Sequence, residues 1–557
     1  MNEMPRAATD EKPDEHAASG AAPRWGMTID VNRCVGCQTC VAACKHANDT
    51  APAVQWRSVI DVEYGRFPDV ERLFLVVGCQ HCEEPPCVPV CPTGATTKRA
   101  DGLVTMDYDL CIGCASCVVA CPYQARTLKH DRENYFGDRG TVQEDAVAHP
   151  ERLGVAQKCT FCKERVDDGL ARGLKPGVDP EATPACASSC IAEAIQFGDL
   201  NDPESKVSRL VREKKSFQMH EELGTRPGIH YLYETPAVPG RDPGPADCDD
   251  ESQADAENPL VGPRQRFWDF RAAANFIFGG MGSGLAVIAG LLYVTAGLTD
   301  RVLHVLFVAS GALIAIGLAC VFFKIGRKAR FLYALLRPQS SWMTREIYAV
   351  AVFYPSLALD LWRPNWGLHA LVTLAALGFL VCQARILYAS KGIPAWRAPL
   401  IPWMLATTGL FEGVGLTAMT FAFLSISGAA RGTAAALGLV LCLANAFLWH
   451  RYRTSAKARA IMPLARREID GVSPVLHLVG HGVPAMLFAA ALFVPGAAGA
   501  PVLFVAGLGA VAGGVLWKFV VIIRASYQQG FALAKLPRRG SGSYAAPPAF
   551  PALAGGR

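Results

Sequence analysis

Sixteen of the chain's 20 cysteines fall into four groups, and their spacing constrains the fold more than anything else in the 557 residues. The first group is Cys34, Cys37, Cys40 and Cys44, separated by two, two and three residues. The second is Cys79, Cys82, Cys87 and Cys91, separated by two, four and three, with Pro92 after it. The third is Cys111, Cys114, Cys117 and Cys121, spaced like the first and followed by Pro122. The fourth is split, with Cys159 and Cys162 followed, after 23 intervening residues, by Cys186, then Cys190. Three thiols at i, i+3 and i+6 on a tight loop can hold three corners of one cubane cluster. The fourth lies at the start of a helix and points away; in two-cluster ferredoxins it serves the other cluster. A following proline ends the loop.

Reciprocal pairing then assigns the ligands. Cys79, Cys82 and Cys87 take Cys121, and Cys111, Cys114 and Cys117 take Cys91. Cys34, Cys37 and Cys40 take Cys190, and Cys159, Cys162 and Cys186 take Cys44. The result is two ferredoxin modules, one nested in the other, with four [4Fe–4S] clusters. Zinc sites use paired CxxC motifs, not runs of this spacing. A disulfide framework belongs to small chains in oxidising compartments. The remaining Cys248, Cys320, Cys382 and Cys442 do not read as ligands. Four clusters of about −2 each would turn the formal net charge of +5 to roughly −3. No nucleic-acid signature is visible in that balance.

Two stretches, "CQHCEEPPCVPVCPTGA" and "DYDLCIGCASCVVACPYQAR", resemble the electron-transfer subunits of complex iron–sulfur molybdoenzymes. That family includes dimethyl sulfoxide (DMSO) reductase, polysulfide reductase, formate dehydrogenase and sulfite dehydrogenase. The resemblance covers about residues 25 to 235. It implies a separate catalytic subunit carrying molybdopterin, docked on the iron–sulfur domain.

The chain is 51% hydrophobic and 18% charged, and its apolar residues concentrate after about Phe270. Eight apolar spans are each long enough for a membrane helix: 272–298, 302–323, 346–363, 366–388, 401–425, 432–450, 474–495 and 500–524. The expected fold is therefore an α+β double ferredoxin-like iron–sulfur domain followed by an all-α eight-helix transmembrane bundle. The divisions are a disordered tail (1–24), the iron–sulfur domain (25–237), a Pro-, Gly- and acid-rich linker (238–264), the membrane domain (265–530) and a polar tail (531–557). The first 25 residues have no apolar core and no twin arginine, so no secretory signal is expected.

Loops and tails on the side of the iron–sulfur domain hold 22 Lys and Arg, against Arg301, Arg363 and Arg431 opposite. The positive-inside rule then puts the clusters on the cytoplasmic side of a bacterial inner membrane. Glu346, Tyr388, Glu412, His450, His477 and His481 lie near or inside spans, mostly towards that side. A quinone head needs a proton donor and acceptor beside an apolar slot near the last cluster. These residues are candidates for it, while interfacial His and Tyr also serve simply as helix anchors. Haem is not expected, because His477 and His481 lack a facing mid-membrane His.

The second half resembles the membrane-anchor subunit of DMSO reductase, on "KIGRKARFLYALLRPQSSWMTREIY" and "QARILYASKGIPAWRAPLIPW". In that family a His before the Gly and a Glu closing the second motif are tied to quinone binding. The Glu is Glu346 here, and Lys324 stands at the His position. The combined reading is a fused electron-transfer and anchor protein passing electrons from substrate oxidation, sulfite-like or acyl-CoA, to quinone. One alternative is a quinol-oxidising subunit of a DMSO- or polysulfide-type reductase. The other is a proton-translocating membrane module.

Overall fold

The computed structural model describes residues 22–66, 69–233, 246–247, 254–424, 426–455, 461–494, 498–531 and 535–536. Most of both expected tails, about half of the expected linker and Cys248 lie outside these residues.

The first half is built on a four-stranded sheet. Its strands are β1 (Trp25–Asp30), β8 (Ile195–Asp199), β9 (Lys215–Phe217) and β10 (Ile229–Tyr233), in the order β8-β1-β10-β9. β1 runs parallel to β10 and antiparallel to β8, and all six of its residues are buried. Three hairpins complete the half: β2–β3 (Arg57–Arg66, Asp69–Gly78), β4–β5 (Thr96–Lys98, Val104–Met106) and β6–β7 (Arg126–Leu128, Ala156–Lys158). The β4–β5 hairpin returns the chain between Cys91 and Cys111, and β6–β7 returns it between Cys121 and Cys159. Each reversal carries a fourth cysteine back toward an earlier group.

The second half is helical. Its long helices are α1 (Phe270–Ala296), α2 (Asp300–Lys324), α3 (Trp342–Trp362), α4 (Trp366–Ala389), α5 (Ile401–Thr420), α6 (Gly428–Thr454), α7 (Pro463–Ala491) and α8 (Gly499–Arg524). Ser341, Asn365 and Ser427 cap α3, α4 and α6 by accepting from the N–H groups of Thr344, Leu368 and Ala430. Six of the eight are long and apolar enough to cross a membrane by length and composition. All eight expected spans correspond to long helices, and these six of them meet that measure among the described residues. The 21-residue α3 carries Arg345, Glu346 and Asp360, and the 20-residue α5 carries Glu412 among Thr and Gly, which lowers the hydropathy of both.

Small residues let the helices touch by backbone, as in membrane bundles. A Cβ added to Gly284 of α1 would collide with the carbonyl of Gly409 on α5, and one on Gly415 would meet the carbonyl of Gly507 on α8 at 2.8 Å. The two halves share one apolar core. It runs from Cys91, Cys117 and Val119 through Trp268 and Phe276 to Trp396 and Trp517. After α8 the chain pairs with the segment that precedes α1: Gln265 N–H donates to Ser526 O at 2.9 Å, and Phe531 N–H to Leu260 O at 2.7 Å.

Candidate functional site

The cysteine loops share one backbone device. Gly36 (φ +69°) and Gly113 (φ +70°) sit just before Cys37 and Cys114 in the left-handed region that glycine adopts without strain. The equivalent positions before Cys82 and Cys162 are His81 (φ +42°) and Phe161 (φ +56°), which carry side chains into the same strained region. What those side chains do is visible: their rings stack at 3.8 Å between centroids, tying the second cysteine group to the fourth.

The folded chain assembles four nests of four thiols. Cys34, Cys37, Cys40 and Cys190 line one cavity. Cys44 lies against Cys159, Cys186 and Cys162. Cys82 lies against Cys79, Cys87 and Cys121. Cys117 lies against Cys91, Cys111 and Cys114. Burial first, and then the neighbouring thiolates, push Cys82 and Cys117 well above the ordinary thiol range. Four thiolates in one buried nest therefore need a cationic centre. The side chains supply two fully buried arginines. Arg57 Nη2 lies 3.7 Å from Cys186 Sγ, and Arg126 Nη2 lies 3.1 Å from Cys87 Sγ. Despite burial, the thiolates around them hold both guanidiniums firmly protonated. Four soft donors per nest, short of positive charge, fit iron–sulfur clusters.

The nests form a file. Cys186 reaches both Cys40 and Cys44, so the nests of Cys34 and Cys44 adjoin. Cys159 and Cys79 link the Cys44 nest to that of Cys82. Arg126 faces both Cys87 and Cys117, linking the Cys82 nest to the Cys117 nest. The outer end is open, with Cys37 exposed beside the exposed apolar side chains of Val35 and Ile191. The inner end abuts the helical half. Lys324 Nζ donates to Cys114 O at 3.0 Å, Trp268 Nε1 donates to the same oxygen at 3.3 Å, and Arg327 N–H donates to Ile112 O at 3.0 Å. Lys324 also lies over the Trp268 ring, 5.6 Å from its centroid.

Behind this contact is a seam of buried polar groups. Glu346 on α3 sits beside Gln383 on α4 and Asn275 on α1. Asn275 opens a π-helical stretch of α1, Asn275–Gly279, and Gln383 Nε2 donates to its carbonyl at 2.8 Å. Glu346 Oε1, Gln383 Oε1 and Asn275 Oδ1 are buried without a hydrogen-bond partner among the described residues. The seam continues past Gly280, whose missing side chain leaves room for Lys518 Nζ, Gln383 Oε1 and Glu412 Oε2. Lys518 pairs with Glu412 at 2.5 Å, and both side chains are fully buried.

The other sequence candidates lie apart. His477 and His481 sit in a π-helical segment of α7, rings 5.9 Å apart, on a helix that packs against α6 and α8. His450 is exposed at the end of α6. Tyr388 is covered by Lys391, 3.5 Å from its ring centroid. Asn275, Gln383 and Lys518 escaped sequence reading. Lys518 stands six residues from the end of α8, where a lysine looks like one more interfacial charge.

The model of a 4Fe-4S dicluster domain matches residues 70–136. The chain is 40% identical over 224 residues to a subunit of the selenate reductase of Mesobacillus selenatarsenatis, covering 38% of this chain and 72% of that one. It is 39% identical over 224 residues to a subunit of the sulfite dehydrogenase of Allochromatium vinosum, covering 37% and 81%. It is 38% identical over 236 residues to the arsenate respiratory reductase iron–sulfur subunit of a Shewanella species, covering 38% and 96%. With its four thiol nests and these relatives, the chain belongs to the iron–sulfur subunits of the DMSO-reductase family of complexes.

Proposed function

We propose that this protein connects a molybdopterin catalytic subunit to membrane quinone, and that its two activities sit at opposite ends of the file of nests. The ligand sets are Cys34, Cys37, Cys40 and Cys190; Cys44, Cys159, Cys162 and Cys186; Cys79, Cys82, Cys87 and Cys121; and Cys91, Cys111, Cys114 and Cys117. Bound [4Fe–4S] clusters supply one-electron steps along that file. The chain's own residues exclude water from the three inner nests and set their charge through Arg57 and Arg126. The domain division expected from the sequence, with residues 25–237 and 265–530 as its two bodies, is kept.

The observation that carries the quinone reading is the seating of Lys324 and Trp268 on the Cys114 loop, with the Glu346 seam behind. A quinone accepting two electrons also takes two protons. Protonated Glu346 gives one proton to a quinone oxygen, the Lys324 ammonium gives the other to the second oxygen, and the orphan oxygens of Gln383 and Asn275 accept from the hydroxyls of the product. Lys324 attracts the oxygen nearer the cluster loop. The Lys518–Glu412 pair keeps the deeper part of the seam polar. Tyr388 then acts as a helix-end residue, and His477 and His481 as mid-helix residues of α7.

At the outer end, Val35 and Ile191 beside exposed Cys37 form the face for the catalytic subunit. The Lys and Arg excess of the loops against the first half supports a cytoplasmic position for the clusters. That position favours substrate oxidation with quinone reduction, as the name of the sulfite dehydrogenase relative illustrates. The reverse direction is the second reading, favoured by the selenate and arsenate reductase names among the relatives. Proton translocation has less support, because buried Phe307, Phe379, Val414 and Phe421 form an apolar core in the same bundle.

The test is a purified complex assayed for molybdenum and for cluster reduction by a short-chain quinol. Expected are co-purifying molybdenum and quinol-driven bleaching that slows by about 10²- to 10⁴-fold in Glu346→Gln. Bleaching unchanged by that substitution overturns the pocket. Cluster potentials set against the quinone pool decide direction, and an impermeant label that reaches the first half in intact cells overturns the sidedness.

A further inference from the structure

The face of the bundle opposite the cysteine nests holds a second convergence of donors that the quinone reading does not use. α2 enters at Asp300, α3 leaves at Trp362 and α4 enters at Trp366, so the ends bearing His304, Asp360 and His369 share that face. One side chain comes from each helix. His369 Nδ1 lies 2.8 Å from Asp360 Oδ1 and 2.9 Å from its Oδ2. His304 Nε2 lies 3.3 Å from Asp360 Oδ2. The three ligand atoms fall within 4.8 Å of one another.

We propose that His304, Asp360 and His369 form a binding site for a divalent transition metal of the zinc class, clipping α2, α3 and α4 together. Three features carry it. First, the donor set is two imidazoles and a carboxylate, the borderline donors that Zn²⁺ takes, with a fourth position left for water. Second, Asp360 is wholly buried, yet its Oδ1 has no hydrogen bond among the described residues, and neither has His304 Nε2. Both unsatisfied atoms lie in the same cluster.

Third, the outer ring nitrogen of His369 faces a carboxylate, as in many metal-bound histidines: its Nε2 lies 3.7 Å from Asp300 Oδ1. A carboxylate on that side favours the tautomer that leaves Nδ1 free as a metal ligand. His304 is the most accessible of the three, with 18% of its side chain exposed, and marks the route of entry. The separations of 2.8–3.3 Å are close to the spacing of ligands around one small cation with bonds of about 2.0–2.1 Å. An ion pair of His369 with Asp360 alone explains that contact, but gives no reason for His304 Nε2 to turn toward the same carboxylate at 3.3 Å.

The site stands apart from the cysteines, so the test must separate zinc here from zinc in unfilled thiol nests. Full-length protein in detergent, with its iron–sulfur content intact, is treated with chelator, reloaded with ZnCl₂ and desalted. Zinc and iron are then measured in the same sample. Expected is about one zinc per chain, falling at least fivefold in Asp360→Asn and His369→Gln while iron stays level. Zinc-edge absorption shows nitrogen and oxygen ligands near 2.0–2.1 Å. Sulfur at about 2.3 Å, or equal zinc in parent and variants, overturns the proposal. If the buried substitutions prevent folding, His304→Gln at the accessible edge serves. Its zinc affinity drops at least tenfold with iron unchanged, and an unaltered affinity overturns the site.

Discussion

Lys324 Nζ and the carbonyl oxygen of Cys114 lie 3.0 Å apart, so the last residue of a membrane helix grips the innermost cysteine loop. That bond places a cation between the iron–sulfur half and the seam behind it. Lys324→Met keeps the length of the side chain and removes the charge. Quinone-linked turnover is expected to fall about 10- to 100-fold, the value of one charge-assisted hydrogen bond, with iron content unchanged. Equal turnover in the two proteins would remove Lys324 from the pocket.

Glu346 is buried beside two orphan oxygens, and the proposed function assigns it proton transfer. Glu346→Gln keeps the shape and loses the transferable proton. Reduction of the clusters by quinol is expected to slow by about 10²- to 10⁴-fold, while reduction by dithionite proceeds as before. A slowing of both reactions would point to structural damage instead.

Cys121 lies with Cys79, Cys82 and Cys87, not with its sequence neighbours Cys111, Cys114 and Cys117. In Cys121→Ser, iron is expected to drop by about four atoms per chain, or one cluster is expected to convert to a three-iron form. EPR of wild type and variant identifies the lost signal. If the pattern of the Cys111 nest disappears in its place, the crossed assignment is wrong.

Arg57 lies against Cys186 and is held protonated by the thiolates around it. A positive charge there stabilises the added electron. Arg57→Gln is expected to lower the reduction potential of the adjacent cluster by on the order of 100 mV, the Coulomb energy of one charge at about 5 Å in a medium of intermediate dielectric. A redox titration followed by EPR measures it, and an unchanged or raised potential rejects the role.

His230 on β10 is held below the ordinary imidazole range, by burial first and then by the Arg24 guanidinium. The folded state thus keeps it neutral, while the unfolded chain takes a proton near pH 6.5. The unfolded state binds more protons, so the stabilisation is present above about pH 6.5 and is lost as pH falls toward the folded value. His230→Gln is expected to flatten the fall of the melting temperature between about pH 6.5 and 5. Parallel curves for the two proteins would exclude His230 as a source of that slope.

The helical half was legible because length and apolarity are local properties. The expected span 366–388 corresponds to Trp366–Ala389, and 302–323 to Asp300–Lys324. α3 and α5 were harder to weigh, since a helix lined by charged or small residues on its packed face no longer reads as uniformly apolar. The cysteine loops were legible for the same local reason. The stacking of His81 on Phe161 was not, because it depends on two loops meeting in space. The seam was half visible. Glu346 and Glu412 stand out as acids in apolar surroundings, but Gln383 and Asn275 gain meaning only when three helices converge. The same holds for His304, Asp360 and His369, which lie one by one near helix ends, where polar residues are ordinary.

The crossing of cysteines between groups also imposes an order on synthesis. The nest of Cys82 has all four thiols once residue 121 has left the ribosome, and that of Cys117 is complete earlier still. The nest of Cys34 is begun first in the chain and closed last, because its fourth thiol belongs to Cys190. A ribosome that stalls or a chain cut short before that point leaves the outermost nest with three thiols. Completion of that nest therefore reports that the cysteines of every other nest have been made, and it does so at the end of the file where a partner protein would dock.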